Sequence, residues 1–398
     1  SCRRTNAIWG PYRRGELNFT RDYERIFFSA RRKIGMVLGD ALYRWTELCD
    51  FGPGADTATV HGMTSAYNKL CNPGSVTAGV YSYLEVFASL MRLGHCFIGN
   101  IATKRLDVEF SKGNRVTFVS KNAKTDRPIA VEPRWNIWMQ KGLGRYLRYR
   151  LRFFGVDLDR QEPNQLRSRE GSRTGKYGTI DLASASDTVS KELVQALLPE
   201  PWLTIFAALR SPSYTLDGVT REYEKWSSMG NGYTFELESL LFWAICSSVS
   251  EDVTVYGDDL VVPTYAFDKI VSALEVCGFG VNPSKSFKTG PFRESCGEDS
   301  FLGVRVTPIY WKAPLNTQGR LTLVNQVTTL ARRMAPIGFR AKEFRSLWKR
   351  LVYQLPRQFQ VRGPTTLSTV VHDSSAAWNA VRRFGWDGVW LNISLPVP

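Results

Sequence analysis

The sequence predicts an α+β protein in which helices pack around an antiparallel sheet. Helix-spaced apolar stripes fill much of the chain, and shorter β-prone runs flank glycine-containing turns. The clearest turn lies in Thr254–Val262, where β-prone residues on both sides of a Gly-Asp-Asp tripeptide predict a tight hairpin. A chain of 398 residues, 43% of them hydrophobic, is large enough for two or three lobes.

Helices and strands are predicted in turn along the chain. Helical spacing of apolar residues predicts helices at 20–50, 65–100, 134–154, 187–198, 235–249, 267–277 and from 324 onward. Alternation and short β-prone runs predict strands at 103–132, 178–181, 253–262 and 301–311. Glycine and proline at 51–55 and 363–364 predict breaks between these elements.

The hairpin tip presents two adjacent carboxylates, Asp258 and Asp259. Neighbouring negative charges destabilise each other unless a cation lies beside them. Carboxylate oxygens suit Mg²⁺, which commonly takes one or two protein carboxylates together with substrate phosphates. Alone, Tyr-Gly-Asp-Asp arises by chance in on the order of one chain in a few hundred of this length, so the interpretation depends on the surrounding residues.

A third acid, Asp181, ends the strand-like run Thr179–Asp181 and precedes small residues that lead to Asp187. A carboxylate at a strand end can face a neighbouring hairpin tip. Three acids in that arrangement can hold two metal ions ~3.5–4 Å apart for phosphoryl transfer. We therefore expect Asp181 to bind metal together with the two hairpin acids. Asp187 can instead cap the helix that follows it.

Two further segments suit the phosphates or sugar of a nucleotide. The loop 227–234 contains Ser228, Gly230 and Asn231, and its backbone N–H groups can approach a phosphate or ribose, although ordinary helix starts look the same. Upstream, three cations share one polar stretch between predicted strands, which suits a triphosphate. A solvated turn is the alternative for these cations, Lys121, Lys124 and Arg127.

Basic residues outnumber acidic ones by 52 to 37, which gives a net charge of +15 and indicates a polyanionic partner. The excess is concentrated at 141–176, where ten Lys/Arg less four Asp/Glu leave +6. In the predicted helix 134–154, leucines occupy one face and Arg145, Arg148 and Arg152 the opposite one. We expect this basic face to contact a nucleic-acid backbone, with a solvated face as the alternative.

Other site classes are disfavoured by composition. The seven cysteines are scattered without a Cys-x-x-Cys pair and only three histidines are present, which favours reduced thiols and argues against a zinc site. The longest apolar run, Leu240–Cys246, is far shorter than the ~20 residues that span a bilayer. We therefore expect no inserted membrane segment. The chain starts without methionine, so a processed chain and a fragment are both open.

The ordered motifs closely resemble the replicase catalytic (beta) subunit of positive-strand RNA bacteriophages, the Q-beta-like levivirus family of RNA-dependent RNA polymerases. The resemblance runs from about residue 45 to about residue 312 and follows the polymerase motif order F, A, B, C, D and E. The matching segments are Lys121–Pro133, Thr179–Ser190, Ser228–Ser239, Val253–Leu260 and Thr289–Gly297.

This resemblance implies a right-hand polymerase fold of fingers, palm and thumb, with the catalytic aspartates on an antiparallel palm sheet. It implies fingers at 1–176, with a basic nucleotide-access segment at 120–134. The palm would span 177–312, with a fingers insertion near 199–226, and the thumb or C-terminal helical region 313–398. Family members are longer at both ends, so a short divergent member and a trimmed fragment remain alternatives.

The resemblance also implies a role for each candidate site residue. Asp181, Asp258 and Asp259 would be the metal-binding catalytic acids, and Lys285 would protonate the leaving pyrophosphate. Ser228, Gly230 and Asn231 would line the nucleotide site beside the ribose. The motif-B position that commonly holds a ribose-reading asparagine is Glu238 here, so Asn231 is the substitute candidate. Phosphate contacts would come from Lys121, Lys124 and Arg127, and the ribose 2′-hydroxyl contact from Asp187.

The implied activity is RNA-directed RNA polymerisation with two Mg²⁺ ions, for which Mn²⁺ can substitute. The implied setting is the cytoplasm of an infected bacterium, with template RNA, product RNA and NTPs as partners. Relatives of this family recruit host elongation factors Tu and Ts and, in some cases, a ribosomal protein. A reverse transcriptase and an RNA-binding module with a vestigial polymerase site are the alternatives. The glycine before the two acids, and Asp187 in place of an aromatic steric gate, favour RNA synthesis.

Overall fold

The computed structural model divides the chain into two compact units, Ser1–Val304 and Arg305–Pro398. The described residues are 1–59, 62–91, 99–100, 105–106, 108–121, 125–309, 316–334, 341–381 and 389–393.

The described helices of the first unit largely follow the apolar periodicity of the sequence. They are Cys2–Arg13, Arg21–Leu38, Ala66–Cys71, Ala78–Met91, Arg134–Arg152, Glu162–Thr174, Ala185–Thr188, Lys191–Leu197, Glu200–Leu209, Thr234–Val249 and Phe267–Val276, with 3₁₀ turns at Arg44–Leu48 and Thr264–Ala266.

Antiparallel pairing dominates the sheets of this unit. The sheet that carries the candidate acids has the order Thr254–Tyr256, Asp259–Pro263, Tyr177–Ala183 and Gly280–Val281. A second four-stranded sheet has the order Asp126–Val131, Gly113–Ser120, Ser213–Leu216 and Val219–Glu222, with one parallel pair at its centre. The remaining strands are Gly74–Val76, Gly99–Asn100, Arg105–Leu106, Val108–Phe110, Phe292–Ser295, Glu298–Phe301 and Val304–Arg305.

One helix, Thr234–Val249, is apolar on nearly every side and forms the centre of the core. Leu237, Leu241 and Ile245 have no exposed surface. A helix without a polar face must be covered on all sides, and this one packs against the helices Arg21–Leu38, Arg134–Arg152 and Phe267–Val276. Its first turns therefore have a fixed position, and they lie beside the Gly-Asp-Asp hairpin.

The helix Arg134–Arg152 begins with a buried ion pair. Arg134 Nε lies 3.0 Å from Asp56 Oδ2, and the two side chains are only 3% and 0% exposed. The same guanidinium donates hydrogen bonds to the backbone carbonyls of Lys69, Asn72 and Pro73. One side chain thus joins this helix to a loop and to a turn that lie more than sixty residues earlier in the sequence.

Some predicted boundaries were wrong. The strand pair expected at 301–311 is formed earlier, by Phe292–Ser295 and Glu298–Phe301, because a turn at Cys296 and Gly297, both with positive φ, reverses the chain there. The predicted helix 20–50 ends at Leu38, before Gly39 with φ +64°. The helix Cys2–Arg13 has no counterpart in the prediction.

The second unit contains the helices Thr317–Met334 and Ala341–Tyr353, which bury Leu321, Val324 and Val352 between them and neighbouring segments. In the described part of the tail that was predicted to be largely helical, the α-helices end at Tyr353, and only the 3₁₀ turns Arg357–Phe359 and Ser375–Ala377 follow as helical elements. Beyond it, short strands predominate: Arg362–Gly363, Val371–His372, Ala380–Val381 and Trp390–Leu391. Among the described helices of both units, none is long and apolar enough to cross a bilayer.

Candidate active site

Two antiparallel strands bring the candidate acids together. Asp259 pairs directly with Asp181 in the register of Asp259–Pro263 against Tyr177–Ala183. Tyr256 pairs with Asp259 across the hairpin, so Gly257 and Asp258 form a two-residue turn. Acids that are far apart in the sequence therefore meet at one end of the sheet, as the sequence predicted.

Gly257 is required by both backbone conformation and packing. Its φ is +58°, whereas Asp258 is not among the residues with positive φ, a pattern typical of a type II′ turn with glycine first. A Cβ at this position would lie 2.4 Å from the Phe235 ring. The Gly257 N–H also donates to Ser239 Oγ at 3.1 Å, which fastens the turn to the helix Thr234–Val249.

Asp181 is held from the following loop. Asn282 Nδ2 donates to Asp181 Oδ2 at 3.0 Å, and Lys285 Nζ lies 3.7 Å from Asp181 Oδ1. The backbone N–H of Asp181 donates to Ser286 Oγ. Lys285, more than half exposed, is therefore close to the acids, where the family resemblance expects a proton donor.

Asp258 and Asp259 lie in an environment that disfavours negative charge. Burial, followed by the charges of Asp258 and Asp181, raises the pKa of Asp259 to about 6, although a hydrogen bond from the Cys296 N–H at 3.0 Å opposes the shift. Burial and the charge of Asp181 also raise the pKa of Asp258, while Lys285 and Arg127 oppose this. In this cluster the negative charges outweigh the nearby positive charges, and a bound cation would offset the difference.

The donor set fits a hard divalent cation, since it consists of carboxylate oxygens. In the part of the chain that the structure describes, no three His, Cys, Asp or Glu side chains are already arranged around a common point. Both carboxylate oxygens of Asp181 have partners here, Asn282 for Oδ2 and Lys285 for Oδ1.

The loop before the helix Thr234–Val249 is fastened to the strand Asp126–Val131. The Ala130 N–H donates to the Met229 carbonyl at 2.8 Å. Gly230 has φ +109°, and a Cβ there would lie 2.1 Å from the Ala130 carbonyl oxygen. Asn231 and Ser228 are both buried, and Asn231 Oδ1 accepts from the Tyr233 N–H. Asn231, the substitute candidate for reading the ribose, thus stabilises the start of the helix with its side-chain oxygen.

The cationic segment forms a hairpin with exposed charges. Arg127 pairs with Val119 across the strands Gly113–Ser120 and Asp126–Val131, and its charge acts on Asp258. The backbone N–H of Lys121 donates to the Thr125 carbonyl, and its side chain is exposed. Lys124 lies outside the described residues. Of the two described members of this set, Arg127 is the one whose charge acts on the acidic cluster.

Asp187 has an ion-pair partner that the sequence did not reveal. Lys225 Nζ donates to Asp187 Oδ1 at 2.6 Å, and Lys225 is the more buried of the two, with 21% of its side chain exposed. Asp187 is inside the short helix Ala185–Thr188, and the cap of the next helix is Ser190. The alternative role of a helix cap is therefore not observed.

The arginines on the basic face of the helix Arg134–Arg152 form ion pairs, and their expected contact with a nucleic-acid backbone stays a prediction. Arg145 lies 2.5 Å from Asp50, and Arg148 pairs with both Glu236, at 2.7 Å, and Asp159. Arg152 pairs with Asp159 and Asp157. The arginines do lie opposite the buried leucines, but acids from other segments neutralise them. Helical periodicity gives the direction of a side chain and cannot reveal a partner from a distant segment.

The sequence-based prediction assigned no site role to two acids near the cluster, Glu294 and Glu238. Glu294 lies on the strand Phe292–Ser295, where burial and the charge of Asp259 raise its pKa to about 7. Glu238 lies on the central helix and is 7% exposed. An acid within an otherwise apolar helix is the signal that could have identified Glu238, whereas nothing in the sequence distinguishes Glu294 from a solvated strand residue.

The curated proteins to which this chain is similar are subunits of phage RNA polymerases. The RNA-directed RNA polymerase subunit beta of Enterobacteria phage SP is 40% identical over 335 residues, which cover 81% of this chain and 56% of that protein. The corresponding subunit of Escherichia virus Qbeta is 39% identical, with 81% and 55% covered. The beta chain of Escherichia phage MS2 is 34% identical, with 83% and 61% covered. The chain spans little more than half the length of these curated relatives.

Solved structures show a weaker likeness. The RNA-dependent RNA polymerase of BmCPV at its elongation state aligns with 81% of this chain and 31% of its own, with 12% identity and a TM-score of 0.41. The family profile described as RNA replicase, beta-chain, in contrast, matches residues 1–381. Since that match covers nearly the whole sequence, this protein belongs to the RNA replicase beta-chain family.

Proposed function

We propose that this chain is an RNA-directed RNA polymerase that transfers nucleoside monophosphates from NTPs to the 3′-hydroxyl of RNA. The observation that carries the proposal is the register that places Asp181 opposite Asp259, with Asp258 at the adjoining turn. Membership of the replicase family supports it. Because the chain covers little more than half of its relatives, the complete activity is a proposal for this sequence.

The metal requirement is proposed on the same residues. Asp181, Asp258 and Asp259 would hold divalent ions, with two Mg²⁺ as the proposed pair and Mn²⁺ able to substitute. Such ions supply charge stabilisation at the transferring phosphoryl group. The protein itself positions the substrate, since phosphoryl transfer depends on placement and electrostatics more than on covalent chemistry.

The cations around the cluster have separate proposed roles. Lys121, Lys124 and Arg127 would hold the triphosphate. Lys285, 3.7 Å from Asp181, would donate a proton to the leaving pyrophosphate. Backbone N–H groups of the loop that contains Ser228 and Gly230 would approach the sugar and phosphates.

Partners and setting follow from the relatives. They are named as beta subunits or beta chains of phage polymerases, and we infer that this chain also acts as one subunit of an assembly in an infected bacterium. Elongation factors Tu and Ts and a ribosomal protein remain candidate partners by resemblance alone. Co-purification of the tagged chain from bacterial lysate, followed by mass spectrometry, tests this inference.

Primer extension on an RNA template is the decisive experiment. NTPs with Mg²⁺ or Mn²⁺ should support extension, and chelation should abolish it. Preference for dNTPs would indicate a reverse transcriptase, and binding without extension would indicate an RNA-binding module. Asp258→Asn keeps the size of the side chain but removes its charge, so extension should be lost while RNA binding is retained. Near wild-type extension by Asp258→Asn would exclude the proposed metal site.

A further inference from the structure

The helix Glu162–Thr174 lies against the strands of the candidate site, and polar side chains make the contact. The strands on which it packs are Tyr177–Ala183, Thr254–Tyr256, Asp259–Pro263, Phe292–Ser295 and Glu298–Phe301. Its buried residues are Asn164, Ser168, Gly171 and Ser172, none of which has a large apolar side chain. Burying polar groups costs free energy unless they are hydrogen-bonded. The hydrogen bonds of this helix therefore decide where it lies on the sheet.

Two adjacent amides in the first turn of this helix bind two different segments. Asn164 Nδ2 donates to the Asp259 carbonyl at 2.9 Å, and Gln165 Nε2 donates to the Cys296 carbonyl at 3.2 Å. Asn164 is buried, whereas Gln165 is half-buried. The first amide thus holds the strand that carries Asp259, and the second holds the turn that follows the strand Phe292–Ser295.

The turn held by Gln165 contacts the carboxylate of Asp259. The Cys296 N–H donates to Asp259 Oδ1 at 3.0 Å, and the Ser295 hydroxyl donates to the same oxygen at 3.5 Å. Because both donors of this turn meet Oδ1, Oδ2 is the oxygen through which Asp259 can bind a cation. The backbone of Cys296 is therefore bonded on both sides, with its carbonyl accepting from Gln165 and its N–H donating to Asp259.

The backbone of Cys296 is also strained. Ser295 pairs with Glu298, so Cys296 and Gly297 form a two-residue turn, and their φ angles are +50° and +69°. Two positive φ angles are typical of a type I′ turn, whose first position favours asparagine, aspartate or glycine. A residue with a Cβ keeps such a conformation only where its surroundings enforce it. The strained residue is the one that donates to Asp259, and the hydrogen bond from Gln165 helps to enforce its conformation.

We propose that Gln165 is a positioning residue for nucleotide addition, which acts through the Cys296 backbone to orient the Asp259 carboxylate towards a divalent cation. The inference rests on the proposed function. Asn164 fixes the backbone of Asp259, and Gln165 fixes the direction of its side chain, so one helix controls both. Groups that orient a metal ligand without contacting the metal change metal affinity or activity about 10–100-fold when they are removed.

The test measures the binding of Mn²⁺ alone, by electron paramagnetic resonance titration without nucleotide. Gln165→Met keeps the length of the side chain but has no donor, and Gln165→Asn keeps the amide but is one carbon too short to reach the Cys296 carbonyl. We expect both variants to raise the dissociation constant for Mn²⁺ about tenfold. The Mg²⁺ concentration for half-maximal primer extension should rise by a similar factor.

Ser172→Ala is the matched control on the same helix. Ser172 is buried, and its hydroxyl oxygen accepts the Gly303 N–H at 2.8 Å, about two helical turns from Gln165. This variant should lower the melting temperature and leave Mn²⁺ affinity unchanged, because it loosens the helix without touching the turn at Cys296. The two Gln165 variants should lower the melting temperature no more than Ser172→Ala does, since Gln165 is only half-buried.

The outcomes separate the positioning role from general stability and from the proposed function. Unchanged Mn²⁺ affinity in both Gln165 variants, or an equal loss of affinity in Ser172→Ala, would overturn the inference. A fall in the melting temperature of both Gln165 variants beyond that of Ser172→Ala would overturn it too. In each case Mn²⁺ binding and primer extension by the wild type would still support the proposed function. Absence of both in the wild type would instead contradict the proposed function.

Discussion

Replacing Gly257 by alanine tests whether the position of the hairpin turn controls nucleotide addition. The new Cβ would lie 2.4 Å from Cε2 of Phe235, whereas ordinary contacts begin at 3.4 Å. The turn or the ring must therefore move by about 1 Å. A non-glycine residue at a φ of +58° also costs about 1–2 kcal/mol.

Both effects have predictable sizes. The backbone strain should lower the free energy of unfolding by about 1–2 kcal/mol. A displacement of about 1 Å at a catalytic group can reduce the rate on the order of 100-fold. We therefore expect Gly257→Ala to lose far more activity than stability, because Asp258 is carried by the same turn.

The assay is single-nucleotide extension with NTP and Mg²⁺, combined with urea denaturation. Gly290→Ala is the matched control, since Gly290 also has a positive φ, +73°, but no described atom lies within 4 Å of its Cβ position. It should show the strain without the rate loss. A second variant, Gly257→Ala with Phe235→Leu, removes the ring that the new Cβ would contact and should recover part of the activity. If Gly257→Ala retains near wild-type kcat, or the double variant is no faster than Gly257→Ala, the reasoning is refuted.

Two further predictions concern the ion pairs of the helix Arg134–Arg152. Neutralising Arg145, Arg148 and Arg152 together should leave the slope of log K against log salt for RNA binding unchanged if their acidic partners satisfy them. A slope reduced by about three contacts would instead support the expected contact with a nucleic-acid backbone. Arg134→Met should lower the free energy of unfolding by about 3–5 kcal/mol in a denaturant titration, since it leaves Asp56 buried and unpaired. Loss below about 1 kcal/mol would show that Asp56 finds another partner or that water reaches it.

The Gly-Asp-Asp hairpin and the fold class could be predicted because they depend on local patterns. Turn chemistry at Gly257 and β-prone flanks specified the hairpin, and the strand end at Asp181 indicated which acid it faces. Family membership confirms the α+β right-hand polymerase class. The buried stripe of the helix Arg134–Arg152 was also correct, because period 3.6 follows from helix geometry alone.

Pairings between distant segments could not be predicted. The carboxylates that neutralise Arg148 come from Glu236 and Asp159, and only the folded chain brings them together. The same is true of Lys225 and Asp187, which are 38 positions apart. For a single sequence, the direction of a side chain is therefore easier to infer than its partner.

The junction between Gly230 and Ala130 has a consequence for how this sequence can evolve. A Cβ at position 230 would lie 2.1 Å from the Ala130 carbonyl oxygen, so no side chain fits there. Any residue other than glycine would require the strand that carries Ala130 to move. The constraint falls on position 230, because position 130 contributes its backbone carbonyl, which every residue has. We therefore expect related sequences to keep glycine at 230 while the exposed strand Val219–Glu222 varies.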